Sequence, residues 1–160
     1  MKTVSEKYQT TCKTPLGDLL LGGDGRHLTS LTFLQGRRKR SGAGHASLAP
    51  AKKQIAAYFA GRRPRFTLSL KPQGTDFQRR VWQELLKIPC GRTAYYSDIA
   101  RRAGRPRAVR AAGSAVGSNP LAVVIPCHRV VGKGGRRYQY AFGSRKKRWL
   151  LKHEEGFRKG

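Results

Sequence analysis

Hydrophobic positions in the first part of the chain form short runs that are typical of β-strands. Two apolar runs, Leu16–Leu21 and Leu28–Leu34, flank the turn-forming residues Gly22–Gly25. A glycine-rich turn between two such runs favours an antiparallel pair. The pattern therefore predicts a β-hairpin over Thr14–Leu34 and a β-rich first part of the chain.

The hydrophobic spacing becomes helical further along the chain. After a basic, glycine-rich loop at Gly36–Gly44, it predicts a helix near Ala49–Ala60, then a strand and a linker over Arg62–Pro72. A second helix is expected from Thr75 and ends before Pro89. We place a subdomain boundary between residues 71 and 76, dividing the chain into residues 1–72 and 73–160. The apolar helix positions are Ile55, Tyr58 and Phe59, then Phe77, Val81, Trp82, Leu85 and Leu86.

Two short helices joined through Gly104 form a helix-turn-helix candidate. The first spans Tyr96–Ala103 with Ser97 as its N-cap, and the second has Pro106 in its first turn and runs towards Gly117. One side of the second helix is apolar, and the other is small and basic. Such a basic side suits a nucleic-acid groove, and close helix packing explains small residues equally well. The apolar side carries Val109, Ala112, Gly113 and Val116; the basic side carries Arg107, Arg110, Ala111 and Ser114.

A thiol and an imidazole stand side by side in Pro126-Cys127-His128-Arg129-Val130, directly after the apolar run Leu121–Ile125, which we expect to be a strand. A nucleophilic cysteine reacts as the thiolate, so its pKa must be lowered. His128, Arg129 or a helix terminus could lower it. The alternative is a buried, inert cysteine.

The composition indicates a polyanionic partner. The chain has 34 Lys and Arg against 8 Asp and Glu, a formal net charge of +26. Nucleic acid is the natural partner for such an imbalance, although a merely solvated basic surface has the same composition. Likewise, Arg37–Arg40 fits either a nuclear address or a solvated loop.

Cysteine usage and hydropathy suggest a soluble protein in a reducing compartment. Cys12, Cys90 and Cys127 cannot all pair with one another and show no zinc-binding spacing. No apolar run is long enough to cross a bilayer. We therefore expect a cytoplasmic protein, associated with the nucleoid if it is prokaryotic, with no membrane contact.

The motif around Cys127 resembles the active-site signature of the O6-alkylguanine-DNA alkyltransferases, the methylated-DNA–protein-cysteine methyltransferase family. The resemblance covers Asp76–Glu155 strongly and the hairpin that begins at Thr14–Gly17 more weakly. It implies an α/β (α+β) fold: a small β-rich N-terminal subdomain with a helix, then a mostly helical C-terminal subdomain containing the helix-turn-helix. Further matches, in the family's order, are Phe77–Trp82, Gly91, Tyr96, Arg110, Gly117, Ser118–Pro120, Tyr140 and Arg148–Leu151.

The resemblance implies DNA repair by direct reversal. Cys127 would take an alkyl group, mainly methyl, from O6 of guanine, once per molecule, because the thioether is stable. In similar proteins an imidazole at the position of His128 takes the thiol proton through a water, and Glu154 would hold that imidazole in the useful tautomer. Asn119 would brace the loop, and Tyr96 would hydrogen-bond N3 of the leaving guanine. Without the motif, Glu154 is better interpreted as an exposed helix-end charge, and Tyr96 as ordinary packing.

The resemblance also implies how duplex DNA is bound. The damaged nucleotide must rotate out of the helix, and Arg110 matches the arginine that fills the gap. Entry from the minor groove fits the small Ala111 and Ser114. The loop Gly132–Gly135 lacks the P-loop spacing and is expected to lie on the DNA side. Further contact candidates are Gln78, Tyr95, Tyr96, Ser97, Arg105, Arg107 and Lys133.

Several positions depart from the family pattern. Phe142 stands where relatives carry glycine, so we expect it to narrow the alkyl pocket and to favour methyl over benzyl adducts. Cys90 stands at a position where relatives usually carry an aromatic residue, and Arg92 at one where they often carry an acidic residue. We expect a monomer without metal or cofactor, since Cys12, His27 and His45 do not reproduce the zinc site of some relatives. The pocket is assigned to Pro126, Val130, Tyr140, Ala141 and Phe142.

Two other classes compete with this interpretation. Relatives that lack the cysteine recognise lesions without repairing them, whereas Cys127 is present here. A basic architectural DNA binder with an incidental Cys-His pair would show no preference for alkylated guanine.

Overall fold

The computed structural model describes residues 6–36, 44–134 and 140–158. The described chain forms two compact units. One comprises the residues up to Gln73 together with Pro120–Val124, and the other comprises Gly74–Asn119 and the residues from Ile125 onward. The expected α/β (α+β) fold is confirmed, because antiparallel strands and a helix precede a mostly helical part. The basic residues Arg37–Arg40 lie outside the described residues, and the boundary between residues 72 and 73 stays a prediction.

Three antiparallel strands form the sheet of the first unit: β1 (Tyr8–Thr14), β2 (Gly17–Gly23) and β3 (Leu28–Phe33), in that order. The predicted hairpin is confirmed as β2 and β3. Leu21 pairs with Leu31, and both side chains are buried. Strand β1 was not predicted, because its sequence is mostly polar.

Helix α1 (Ala49–Phe59) confirms the predicted helix of the first unit. Its buried side chains are Ala51, Ile55, Tyr58 and Phe59. The helix ends in a Schellman motif, in which Gly61 adopts a φ of 77° and donates to Tyr58 O while Arg62 N donates to Ala57 O. Glycine is suited to this left-handed position.

The strand expected in Arg62–Pro72 is wrong, because only Leu70 makes a β-bridge, with Leu28. The backbone N–H of Thr67 instead donates to Oε1 of Gln54 on α1, at 2.9 Å. A side chain thus takes the place of a neighbouring strand, and Pro64 and Pro72 have no N–H for a ladder.

The run Leu121–Ile125 is also not a strand. Leu121 makes an isolated bridge to Leu31, after which Val124 N donates to Ala122 O across a γ-turn. The central residue, Val123, has a φ of 71°. A β-branched residue rarely adopts this conformation, which hydropathy does not foretell.

The second unit contains four helices and two short strands among its described residues. In chain order they are α2 (Asp76–Leu86), β4 (Ala94–Tyr95), α3 (Tyr96–Arg102), α4 (Val109–Gly117), β5 (Val130–Val131) and α5 (Ser144–Arg158). The predicted second helix is confirmed as α2. Thr75 caps it through a capping box with Gln78. None of the helices in residues 6–36, 44–134 and 140–158 is long and apolar enough to span a membrane.

Helices α3 and α4 form the expected pair of short helices, and α2 packs against both. The indole N–H of Trp82 donates to Ala115 O of α4 at 2.8 Å, which fixes one of these contacts. Helix α3 ends as predicted at Gly104, which has a φ of 86° and begins the turn to α4.

Helix α3 begins at Tyr96 as predicted, but its predicted N-cap is wrong, and α4 begins later than predicted. The N-cap of α3 is Tyr95, whose N–H donates to the Asp98 carboxylate, so Ser97 lies inside the first turn. Pro106 lies in a turn closed by Ala108 N and Arg105 O, and α4 begins only at Val109. Proline suits such a turn as well as a helix start.

Candidate active site

Two consecutive tight turns of the backbone position Cys127. Pro126 forms an inverse γ-turn, with φ −83° and ψ 64°, and Cys127 N donates to Ile125 O at 2.8 Å. A 3₁₀ turn over Cys127–Arg129 follows and leads into β5. The Asn119 amide donates to Ile125 O at 2.7 Å, directly before this turn.

The parallel pairing of β4 with β5 brings two parts of the site together, because β4 leads into α3 and β5 follows the 3₁₀ turn that contains Cys127. This pair was not predicted, because each strand has only two residues. Cys127 lies at a cavity of about 790 Å³. The predicted residues Tyr96, Arg110, Tyr140 and Ala141 line the same cavity.

Behind the cysteine, three charged or polar side chains share a buried network. Glu154 Oε1 lies 2.7 Å from Nε2 of His128. Arg129 donates to both carboxylate oxygens, at 2.9 Å from Nε and 2.8 Å from Nη2, and its Nη1 donates to Ile88 O at 2.6 Å. Glu154 is 0% exposed, so its interpretation as an exposed helix-end charge is wrong.

The protonation of this network follows from its charges. Burial alone would raise the pKa of Glu154, but His128 and Arg129 outweigh burial and hold that pKa well below its ordinary value. Burial lowers the pKa of His128, against the opposing effect of Glu154. The pair is therefore a carboxylate and a neutral imidazole that donates Nε2–H. Nδ1 of His128 is then an acceptor, and it has no hydrogen-bond partner within the described part of the chain.

Burial raises the pKa of the Cys127 thiol. The side chains that oppose this rise are Asn119, then Lys147 and Tyr140, rather than the expected His128 and Arg129. That expectation is wrong because His128 is neutral and the charge of Arg129 is engaged by Glu154. The resting group is a thiol, so its proton has to be removed during reaction.

Two phenols lie near the thiol. Burial raises the pKa of Tyr96, and the nearby Cys127 adds to the rise. The pKa of Tyr140 is raised well above its ordinary value for the same two reasons. The Tyr140 hydroxyl is buried and makes no conventional hydrogen bond to a described residue. Both phenols therefore remain protonated donors at neutral pH.

Lys147, which was not predicted as a site residue, is fully buried on α5. Its Nζ donates to Val130 O at 2.6 Å. Burial lowers its pKa to about 8, against the opposing effect of Cys127. The available signal was the spacing of Lys147, Leu150 and Glu154, which places all three on the buried face of α5.

The predicted pocket residues lie in two settings. Pro126 and Val130 are buried next to the cysteine turn. Phe142 is half-buried, and its ring packs edge-on against Tyr140 at 5.5 Å between centroids. Because Tyr140 lines the cavity, Phe142 can affect its width through that contact.

The predicted DNA-contact residues differ in availability. Arg107, Arg110, Ala111 and Ser114 are exposed on α4 and the turn before it. Gln78 is half-buried and uses both ends of its amide, since it accepts from Thr75 N and donates to Ser118 Oγ. Ser97 is also half-buried.

Aromatic contacts position other members of this set. Tyr95 is 44% exposed, and Nζ of Lys133 lies 5.5 Å from its ring centroid. The guanidinium of Arg105 lies 4.8 Å from the ring centroid of Phe77.

The structure offers no metal-ligand cluster of three His, Cys, Asp or Glu residues in the part of the chain it describes. Cys12 is buried, and burial raises its pKa. Burial, followed by the charge of Glu154, raises the pKa of Cys90 to about 11.

Both halves of the chain match models of one protein family. The match to the 6-O-methylguanine DNA methyltransferase DNA-binding domain spans residues 76–156. The ribonuclease-like domain of the same family matches residues 7–72. A methylated-DNA–protein-cysteine methyltransferase of Methanosarcina barkeri is 42% identical over 153 residues, covering 92% of this chain and 97% of the relative.

Solved structures agree. The crystal structure of Mycobacterium tuberculosis O6-methylguanine methyltransferase matches with a TM-score of 0.84 and 41% identity, covering 92% of each chain. Mycobacterium tuberculosis OGT in complex with DNA matches with a TM-score of 0.84 and 41% identity, covering 93% of each.

The helix-turn-helix and the buried cysteine with its histidine–carboxylate pair define a DNA-binding protein with a candidate nucleophile. The chain belongs to the 6-O-methylguanine DNA methyltransferase family, which confirms the resemblance found in its sequence.

Proposed function

We propose that the protein repairs DNA by moving an alkyl group, mainly methyl, from O6 of guanine onto Cys127, once per molecule. The observation that carries this proposal is the position of Cys127, at a large cavity and backed by the buried His128–Glu154 pair. Membership of the family supports the reaction class.

The proton of the thiol goes to Nδ1 of His128, the acceptor that the Glu154 contact leaves available. The sulfur then attacks the alkyl carbon, an S–C bond forms and the C–O6 bond breaks. The purine keeps the electron pair of the broken bond and takes up one proton from solvent to become guanine, while His128 returns the thiol proton to solvent, so the proton count balances. Thiol and O6-alkylguanine thus become thioether and guanine, and nothing in the site reverses the S–C bond.

Tyr96 assists the leaving guanine by donating a hydrogen bond to N3. Its side chain lines the cavity, and its raised pKa keeps the phenol protonated. A donor aimed at an atom that gains negative charge stabilises the transition state more than the ground state.

Duplex DNA is the proposed partner, with the damaged nucleotide rotated into the cavity. Arg110 lies on α4, is exposed and lines the cavity, which supports the proposal that its guanidinium fills the gap in the base stack. The net charge of +26 favours binding that depends little on sequence and steeply on salt. We propose that the protein acts as a monomer in the cytoplasm, associated with the nucleoid if its source is a prokaryote.

The experiment is intact mass measurement after incubation with duplex DNA that contains O6-methylguanine. The protein should gain the mass of one methyl group in exchange for one hydrogen, and peptide mapping should place it on Cys127. Cys127→Ala should show no gain, while the matched variant Cys90→Ala should still gain it. An unchanged wild-type mass, a label on another residue or more than one turnover per molecule would contradict the proposal.

A further inference from the structure

A second cavity adjoins the reaction cavity in the same compact unit. Its volume is about 620 Å³, and residues of β4, β5 and α5 line it. Gly132 lines both cavities, so the two meet at the residue that follows β5. We call this second cavity the α5 cleft. Its charged lining residues, all exposed, are Arg148, Lys152, Glu155 and Arg158.

Positive charge predominates in the α5 cleft, because its lining contains three cations and one carboxylate. Lys152 and Arg158 form no ion pair with any other residue that the structure describes. The Arg158 side chain packs over Gly91, where an added Cβ would overlap its Cγ and Cδ. Exposed cations that lack a counter-charge in the protein attract anions from solution. The α5 cleft is therefore suited to an anionic partner.

The neutral groups of the cleft suit a phosphate in particular. Thr93 is exposed, and its hydroxyl makes no hydrogen bond within the described part of the chain. Gly132 and Gly134 have no side chain, so a ligand can come close to the backbone there. Proteins bind the phosphates of DNA with Arg and Lys, with hydroxyl groups and with backbone N–H groups. The lining thus combines the donor types that a sugar-phosphate backbone requires.

The position of the α5 cleft favours DNA that is bound at the reaction cavity. Tyr95 lines the cleft, and Nζ of Lys133 lies 5.5 Å from its ring centroid. Both residues are DNA-contact candidates from the sequence. Lys152 and Arg158 are six residues apart on α5, which separates them by about 9 Å along the helix axis. A DNA strand carries one phosphate for about every 3.4 Å of its axis, so these two cations can contact different phosphates.

We propose that the α5 cleft binds the sugar-phosphate backbone of the same duplex, on one flank of the damaged nucleotide, through Lys152 and Arg158. This inference rests on the proposed partner, duplex DNA, and adds a contact surface outside the helix-turn-helix. The contacts reach phosphates and no base edges. They therefore raise the affinity for DNA without adding a sequence preference.

The first test compares two pairs of substitutions that change the net charge equally. Lys152→Gln with Arg158→Gln alters the α5 cleft, whereas Lys52→Gln with Lys53→Gln alters two exposed positions of α1 that line neither cavity. Both pairs are made in a Cys127→Ala protein, so that no methyl group is transferred during the measurement. Binding to a duplex with one O6-methylguanine is then measured over a range of salt concentrations.

The slope of the logarithm of the binding constant against the logarithm of salt concentration reports the phosphate contacts. We expect the cleft pair to reduce its magnitude by about two, because each contact contributes about 0.9. The α1 pair should leave the slope near that of the unsubstituted protein. An unchanged slope in the cleft pair, or an equal reduction in both pairs, would overturn the proposal.

The second test identifies the DNA segment that the cleft holds. Duplexes are lengthened on one flank of the lesion at a time, and acetylation of Lys152 by an N-hydroxysuccinimide ester is mapped by mass spectrometry. Lys152 should lose its reactivity when one flank is lengthened and keep it when the other is. Lys53 is the matched control and should react equally with every duplex.

Two outcomes of the second test would contradict the proposal. Lys152 that reacts equally on every duplex would show that no DNA enters the cleft. Protection that is independent of flank length and appears only with excess DNA would assign the cleft to a second DNA molecule. Neither test involves methyl transfer, so a wild-type protein that transfers no methyl group to Cys127 would overturn the proposed reaction and leave these results unaffected.

Discussion

Glu154 accepts a hydrogen bond from Nε2 of His128 at 2.7 Å and, through both oxygens, two more from Arg129. One carboxylate therefore fixes the imidazole tautomer and neutralises a buried guanidinium. Removing the negative charge of Glu154 should therefore affect both the orientation of His128 and the neutralisation of Arg129.

Glu154→Gln should lower both reactivity and stability. The single-turnover rate should fall by about 10²-fold, because the imidazole loses the partner that directs its proton. The free energy of unfolding should fall by about 3–5 kcal/mol, because Arg129 is left buried without its counter-charge. Quenched single-turnover assays and urea titrations measure the two effects.

The matched control is Glu155→Gln, at an exposed position beside Glu154 on the same helix. It should change neither quantity appreciably. Equal behaviour of the two variants would show that the buried network has no part in the reaction.

Several features of the fold are determined by local signals and could be predicted from the sequence. Thr75 begins α2 through a capping box, and Gly104 ends α3 in a left-handed conformation. The motif around Cys127 likewise identified His128, and the family resemblance identified Glu154. The two helix ends and the Cys127–His128 pair depend on the residue itself or on close neighbours in sequence, whereas Glu154 could be assigned only through the family resemblance.

Features that depend on contacts between residues far apart in sequence could not be predicted. Val123 adopts a positive φ within an apolar run, so the segment that was expected to be a strand forms a turn. The two-residue strands β4 and β5 exist only as partners of each other. Lys147 lies in a basic stretch that composition assigns to solvent, and only the packing of α5 reveals that it is buried.

Acid should destabilise the protein in two stages. The pKa of His128 lies below 6.5 and that of Glu154 below 4.5, so the unfolded chain binds both protons first as pH falls. The free energy of unfolding should therefore drop below pH 6.5 through His128, and again below pH 4.5 through Glu154. Each unit of pKa shift contributes about 1.4 kcal/mol.

Urea titrations at a series of pH values test this prediction. His128→Asn should flatten the first decline and keep the second. Parallel curves for the variant and the wild type between pH 6.5 and 5 would rule out a lowered pKa at His128.

Arg110→Ala should impair repair of duplex DNA selectively. Rotating the nucleotide out of the stack costs a few kcal/mol, and Arg110 offsets part of that cost if it fills the space left behind. Without Arg110 the rate of repair should therefore fall by about 10²-fold. Reaction with free O6-methylguanine base should be unchanged, because no nucleotide has to leave a stack.

Arg107→Ala provides the comparison, since Arg107 is exposed in the turn before α4. The Arg107→Ala variant should bind DNA more weakly, with little effect on the rate at saturating DNA. The slope of the logarithm of the binding constant against the logarithm of salt concentration should decrease in magnitude by about one. A drop on the free base in Arg110→Ala would show that the arginine acts on the cavity rather than on the duplex.

Phe142→Gly should widen the range of accepted adducts. The Phe142 ring packs on Tyr140, which lines the cavity, so its removal gives Tyr140 room to move away from the bound alkyl group. The rate with O6-benzylguanine should rise by about tenfold or more relative to O6-methylguanine, the usual scale for added space in an apolar pocket. Phe142→Leu, which keeps a large apolar side chain, should retain most of the discrimination. The ratio of the two single-turnover rates decides, and an unchanged ratio in the glycine variant would assign the width of the pocket to other residues.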